Sequence, residues 1–208
     1  MGLFSRFKKS PRSAWSSAEF WDWFQSPAGL RTVEAAAAAV PSAESQKALQ
    51  DAVQRVNPGL TWGLAPKGDD GSPGEFEIGA GGVRDLIPTV RSLVASAPTI
   101  EGWSIVAFKQ PVEDFSLKLG PTGDEIDSQA LRVSATPLKD GRVDVEVFVP
   151  VPAGCPQQTI AELGFIFLDH TLGEYAVMTR LAEISFDSIL VAPPSAIPLS
   201  EFAGKLVG

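Results

Sequence analysis

Two stretches of alternating side chains, residues 131–138 and 142–149, flank the turn sequence Lys139-Asp140-Gly141 and predict a β-hairpin. This feature constrains the fold most, because a register shift of one residue would move every side chain to the opposite face. A two-residue loop would mix polar and apolar side chains on one face. A three-residue loop keeps one face apolar, because it sets Val133 and its alternate neighbours opposite the valines of the second strand. We therefore predict the three-residue loop, with Gly141 in the left-handed conformation.

The same order of elements is predicted twice along the chain. Residues 60–109 and residues 130–187 each contain two strand patterns, then a helix pattern, then a third strand pattern. Residues 16–57 carry N-cap serines and apolar residues at helical spacing, which predict helices. This organisation predicts an α+β fold, with a mixed, mostly antiparallel sheet made from two strand–strand–helix–strand halves and an N-terminal helical cap.

The domain organisation follows from this pattern. We expect residues 15–208 to form a single α+β domain, which ends in a tail helix at residues 199–206. Residues 1–14 are expected to be a flexible basic tail.

Several finer boundaries are also predicted. A helix over residues 156–172 should end at Gly173, and residues 175–186 should then form a strand. The alanine run 35–39 should continue the second N-terminal helix. The polar residues 110–129 should form the connection between the halves.

The charge and composition of the chain exclude some classes of function. Hydrophobic residues make up 44% of the sequence, which is enough for a substantial core. The formal net charge is −8, and a surface of that sign repels phosphate backbones, so we expect no nucleic-acid partner. We expect no integral membrane segment, because the longest aliphatic-rich run, residues 35–40, is too short to span a bilayer.

The basic N-terminal segment leaves two interpretations open. Arg6, Lys8, Lys9 and Arg12 give residues 1–15 a charge of +4 with no acidic residue. Residues 1–12 could therefore make a weak peripheral contact with anionic lipid. The alternative is a frayed chain end without a lipid role.

Cys155 is the only cysteine, so an intrachain disulfide is impossible and a reducing, cytoplasmic location is expected. Cys155 also precedes the start of a predicted helix, where a reactive thiolate is conceivable, although a small buried side chain is the simpler interpretation. No metal-ligand spacing or cofactor motif accompanies it, so we expect neither a metal nor a cofactor. The run Gly79-Ala80-Gly81-Gly82 is interpreted as a tight strand-to-helix turn and not as a phosphate-binding loop.

The only histidine, His170, is the centre of the most chemically crowded stretch of the sequence. Asp169 precedes it and Glu174 follows just beyond Gly173, so one of these carboxylates could orient the imidazole for acid/base chemistry. The structural alternative is a histidine that caps the C-terminal carbonyls of its helix. Asp169 is disfavoured at that helix end and is expected to need a cationic partner such as Arg180.

A cluster of five large rings between Trp15 and Phe24 is the second candidate site. These rings exceed what one helix face can bury, so Trp21 or Trp23 is expected to remain partly exposed and to bind a partner protein. The alternative is that all the rings pack between the helical cap and the sheet.

Three short motifs carry a resemblance. The chain resembles an uncharacterised family of soluble bacterial domains in the segments Phe20-Trp21-Asp22-Trp23-Phe24, Gly102-Trp103-Ser104-Ile105-Val106-Ala107-Phe108 and Leu168-Asp169-His170-Thr171-Leu172-Gly173-Glu174-Tyr175. This resemblance implies a bacterial protein of unknown function and assigns no catalytic residue.

Two classes of function follow as hypotheses. The leading one is a non-enzymatic protein-interaction or regulatory module, which binds a protein partner or a second copy of itself through Trp21 and Trp23. The alternative is a hydrolase-like enzyme that uses His170 with Asp169 or Glu174 in a cleft between the halves.

Overall fold

The fold is α+β, as predicted, in a computed structural model that describes residues 14–113, 115–118 and 125–207. Contacts divide these residues into two compact units. The first unit contains the described part of residues 1–81 together with residues 85–107, and the second contains residues 82–84 and the described part of residues 108–208.

Three helices open the first unit, which confirms the predicted N-terminal helices. They are α1 (Ser17–Gln25), α2 (Pro27–Ala36) and α3 (Ala43–Val56). Ser16 caps α1 through a reciprocal capping box with Glu19, and Ser26 and Ser42 cap the next two helices. The alanine run 35–39 was expected to stay helical, but α2 ends at Ala36, five residues before Pro41.

The first unit continues with the predicted hairpin, helix and third strand. The elements are β1 (Thr61–Ala65), β2 (Gly74–Gly79), α4 (Ile87–Ala95) and β3 (Trp103–Ala107). A 3-10 turn (Arg84–Leu86), whose first residue belongs to the second unit, precedes α4. Strand β2 lies in the centre of a three-stranded sheet, antiparallel to β1 and parallel to β3. The helix predicted within residues 60–109 begins as an α-helix only at Ile87, since the preceding turn is 3-10 and Pro88 follows it.

The second unit repeats this arrangement and adds further helices and short strands. They are β4 (Ser116–Lys118), β5 (Glu125–Asp127), β6 (Arg132–Pro137), β7 (Val143–Val149), α5 (Gln157–Leu172), α6 (Glu174–Arg180), β8 (Leu181–Ser188), a 3-10 turn (Ile189–Val191), β9 (Ile197–Pro198) and α7 (Leu199–Val207). The main sheet has the order β8-β7-β6-β9, with β7 antiparallel to β6 and parallel to β8. Each unit therefore contains a hairpin, then a helical crossover, then a strand parallel to the second hairpin strand.

The register of the β6–β7 hairpin is the one predicted. Val133 pairs with Val147 and Pro137 pairs with Val143, which is the alignment of the three-residue loop. Gly141 has a φ of 82°, in the left-handed region. One face of this hairpin can therefore remain apolar and join the core of the second unit.

The strand predicted for residues 175–186 is wrong in its first part. Gly173, with a φ of 79°, ends α5 as expected, but a second helix, α6, starts at the next residue and the strand begins only at Leu181. The apolar residues Val177 and Met178 are buried together with Glu174, which is the i, i+3, i+4 spacing of a helix face. The polar connection at residues 110–129 contains the short antiparallel pair of strands β4 and β5, which was not predicted.

The core of the second unit is built on α5. Leu163, Phe167 and Leu168 of this helix lie among the buried side chains of the main sheet and of α7. Gly164 packs directly against the Phe186 ring, and a Cβ at this position would lie 2.1 Å from that ring. The close approach of α5 to β8 fixes the position of the last turn of α5, which carries the predicted site residues Asp169 and His170.

Candidate functional site

His170 is held by its own helix and by an aromatic ring. Its Nδ1 atom lies 2.8 Å from the carbonyl oxygen of Ile166, one turn earlier in α5. A carbonyl only accepts hydrogen bonds, so Nδ1 carries the proton in the neutral ring and Nε2 is the basic nitrogen. The imidazole also stacks on Phe115, with ring centroids 4.0 Å apart and planes 11° from parallel.

The charge state of His170 follows from these surroundings. Burial lowers the pKa of the imidazole, the Ile166 carbonyl opposes that shift, and the nearby Lys109 charge lowers the pKa further. A neutral imidazole is therefore favoured. The nitrogen that a carboxylate would have to orient is instead bonded to the Ile166 carbonyl, within α5.

Asp169 is the most strongly perturbed acid in this stretch. Burial raises the pKa of its carboxyl to about 6, Lys109 lowers that pKa and the Glu174 charge raises it. The cation beside Asp169 is therefore Lys109, where the sequence had suggested Arg180.

Glu174 opens α6 and is only 4% exposed. Its carboxylate accepts a hydrogen bond from the backbone N–H of Gly82 at 3.2 Å, and its own N–H donates to the carbonyl of Lys109 at 3.0 Å. The last glycine of the run 79–82 thus donates its amide to a carboxylate of the chain, consistent with a structural turn. Phe108, just before Lys109, has a φ of 65°, which is rare for a bulky residue.

The two candidate tryptophans differ in exposure. Trp21 is 2% exposed, and its indole N–H donates to the carbonyl of Leu93 at 2.9 Å. Trp23 is half-buried and packs against Trp15 at 5.9 Å between ring centroids. Phe20 and Phe24 are fully buried against Phe76, so most of the cluster forms the core of the first unit.

An exposed apolar face on α5 was missed from the sequence. Phe165 is 44% exposed and the adjacent Ile166 is 38% exposed. The sequence carried a signal for this face, because the helix has apolar residues on more than the one side that faces the core. The aromatic cluster near the N-terminus is conspicuous in the sequence because of its density, although it is largely internal.

The remaining candidates have simple structural roles. Cys155 is a free, half-buried thiol that packs against the core of the second unit. Within the described ranges, no group of three or more His, Cys, Asp or Glu side chains could hold a metal ion. None of the helices in the described part of the chain is long and apolar enough to cross a membrane.

No known protein family matches the sequence, and no curated protein matches it. The resemblance to uncharacterised bacterial domains therefore stays a prediction.

Proposed function

We propose that this protein is a non-enzymatic interaction module, which binds a partner protein through the outer face of α5. The observation that carries the proposal is the exposure of the adjacent residues Phe165 (44%) and Ile166 (38%) on a helix whose opposite side is buried. Paired exposed apolar side chains on a rigid helix are typical of the anchor residues in helix-mediated recognition.

The face is ordered before any partner binds. The Phe165 ring packs against the Phe186 ring at 4.5 Å between centroids, which restricts its rotamers. Binding then requires little additional loss of side-chain entropy. A preorganised aromatic anchor favours a specific contact.

The charges around this face define the class of partner. Glu162 is exposed and lies one turn before the apolar pair. A partner that presents an apolar side chain beside Lys or Arg would complement this carboxylate. A second copy of this chain would bring like charges together at the same face, so we propose a different protein with a basic, apolar surface.

The test is affinity capture from the host with three baits: the natural chain, Ile166→Asp and Leu190→Ser. Leu190 is a matched control, because it is 67% exposed in the same unit but lies outside α5. We expect a partner to be retained by the natural chain and by Leu190→Ser and lost by Ile166→Asp. A partner retained equally by all three baits, with Ile166→Asp still folded, would contradict the proposal.

The contribution of Trp21 and Trp23 to binding is a separate part of the proposal. Trp23 is partly exposed and stays a candidate contact, whereas Trp21 is buried and should act through folding. Trp23→Ala in the same capture experiment distinguishes a second contact surface from a purely internal aromatic cluster.

The hydrolase-like alternative has one observation in its favour. The pKa of Asp169, at about 6, would suit a group that exchanges protons near neutrality. The geometry of His170 supports it less, because Nδ1 donates to Ile166 and Glu174 accepts from Gly82. An activity abolished by His170→Ala without loss of thermal stability would overturn the interaction proposal.

We also propose a cytoplasmic location, supported by a single cysteine that cannot form an intrachain disulfide. The predicted lipid contact through residues 1–12 lies outside the described residues and stays a prediction. Co-sedimentation with anionic vesicles, with and without those residues, tests it.

A further inference from the structure

Strand β8 (Leu181–Ser188) forms an open edge of the main sheet of the second unit. It pairs with β7 on one side, and no other described strand pairs with its second side. Its register with β7 is regular from Ile184 to Ser188. This stretch contains neither proline nor lysine, which commonly protect such edges against added strands.

Two side-chain hydrogen bonds show which backbone groups of β8 point away from β7. The carbonyl of Phe186 accepts from the side-chain amide of Gln157 at 2.7 Å. The N–H of Ser188 donates to the carboxylate of Asp187 at 2.7 Å. Backbone groups already bonded within the ladder do not need such partners. Because alternate residues of a strand direct their backbone groups to the same side, the N–H and carbonyl of Ile184 also face the open edge.

The α5 side of this edge is apolar. The exposed Phe165 ring of α5 packs against the Phe186 ring of β8. Leu163 and Phe167, on the other flank of α5, are buried in the core. The Phe165 ring therefore lies towards the open edge, where an apolar side chain of an added strand would contact it.

The other side of the edge is acidic. Glu183 of β8 is exposed and lines a polar pocket of about 190 Å³ together with Asp144 and Glu146 of β7. Among the described residues, none of these three carboxylates forms an ion pair with a basic side chain. Opposite charges on facing residues of neighbouring strands stabilise a sheet. A lysine or arginine on this side of an added strand would therefore be favoured.

We infer that β8 pairs with an extended segment of the partner protein in which apolar residues alternate with lysine or arginine. The apolar residues contact Phe165, the basic residues face Glu183, and the backbone bonds to the open edge at Ile184. This inference rests on the proposed function, because it places the same basic, apolar partner beside the outer face of α5. Strand β8 of a second copy lacks the required alternation, since it contains acidic residues and no basic one.

The test uses a fluorescein-labelled heptapeptide of alternating lysine and valine with blocked ends, and a glutamate–valine peptide as its acidic counterpart. Fluorescence anisotropy gives the Kd of each peptide for the full chain. Two further lysine–valine peptides carry N-methyl groups on all the valines or on all the lysines. In a paired strand, one of these two sets of N–H groups faces β8 and the other faces solvent. We therefore expect one methylated peptide to lose binding and the other to retain it.

Variants of the protein test the same edge. Ile184→Pro removes one N–H of the open edge, and Glu183→Lys reverses the charge beside it. Glu101→Lys, at an exposed turn of the first unit, is the matched control. We expect the Kd of the lysine–valine peptide to rise about tenfold in Ile184→Pro and about fivefold in Glu183→Lys, with no change in the control. The glutamate–valine peptide should bind more weakly than the lysine–valine peptide.

Three results would each overturn the inference: absence of lysine–valine peptide binding, equal binding of the two methylated peptides, or an unchanged Kd in Glu183→Lys and in folded Ile184→Pro. Failure of the proposed function is a different result. A host partner that the natural chain and Ile166→Asp capture equally would overturn that function, whereas the methylated peptides decide whether β8 accepts an added strand.

Discussion

At the scale of single residues, Trp21 and Trp23 show how neighbours in sequence can have different roles. Trp21 faces the inside of the first unit and donates a buried hydrogen bond to the Leu93 carbonyl, whereas Trp23 is half-buried beside Trp15. A substitution of Trp21 should therefore change the stability of the protein, and a substitution of Trp23 can change partner binding.

Trp21→Phe is expected to lower the free energy of unfolding by about 1–2 kcal/mol, because it removes this hydrogen bond and part of a buried ring. Leu93 keeps one partner, since Ser96 also donates to its carbonyl. Trp23→Phe, the control, should cost less because the Trp23 ring is only half-buried, whereas the Trp21 indole donates a buried hydrogen bond. Urea unfolding measures both, and an equal loss of stability in the two variants would contradict this account.

The raised pKa of Asp169 predicts that the stability of the protein depends on pH. Its folded pKa of about 6 lies above its ordinary value of 3.8, so the native state binds more protons between about pH 4 and pH 6. Stability should therefore fall as pH rises through this window. Asp169→Asn should stabilise the protein at pH 8, by about 1–2 kcal/mol after allowance for partial exposure, and give no gain near pH 4.

Thermal unfolding of Asp169→Asn and the natural chain at several pH values tests this prediction. The lowered pKa of His170 has the opposite effect, since the unfolded state then binds more protons and stability falls with falling pH. The difference in stability between the variant and the natural chain removes this contribution of His170 and leaves that of Asp169. A stabilisation that is the same at pH 4 and pH 8 would show that Asp169 is not perturbed as described.

At the scale of elements, two helical glycines form a matched pair. In α5, a Cβ at Gly164 would lie 2.1 Å from the Phe186 ring, whereas in α7 a Cβ at Gly204 would meet no atom within 4 Å. Gly164→Ala should destabilise the protein by about 1–3 kcal/mol through overpacking. Gly204→Ala should stabilise it by up to about 1 kcal/mol through helix propensity.

Chemical unfolding of the two alanine variants measures this difference directly. Equal effects in the two variants would mean that α5 does not approach β8 as closely as described. Loss of stability in Gly204→Ala alone would contradict the packing of α7.

Local signals in the sequence predicted much of the fold. The β6–β7 register was predictable because a short turn and strict alternation both act within twenty residues. The short strands β4, β5 and β9 were not, because two or three residues carry too little pattern to distinguish a strand from a loop. Helix α6 was missed because Tyr175 and Val177 also favour strands, and burial of the α6 face decided the outcome.

The candidate site was less predictable than the fold. The sequence placed Asp169, His170 and Glu174 in one stretch, but the groups that determine their chemistry come from distant segments. Phe115 stacks on His170, and Lys109 lies near both Asp169 and His170. Such contacts depend on tertiary packing, which a local pattern does not encode.

At the scale of the whole molecule, the net charge of −8 and the exposed face of α5 point to the same class of partner. An acidic protein attracts basic surfaces over long distances, which raises the rate of association, while a compact apolar anchor supplies specificity. The central claim of this account is that Phe165 and Ile166 form that anchor.

Photo-crosslinking in the host cell tests the claim most directly, with a photoreactive phenylalanine derivative in place of Ile166 or, as the control, of Val40. Val40 is 89% exposed and lies in the other unit. The account predicts that position 166 crosslinks to a protein with a basic, apolar surface and that position 40 does not. Absence of a crosslink at position 166, the same products at both positions, or crosslinks only to a second copy of this chain would contradict it.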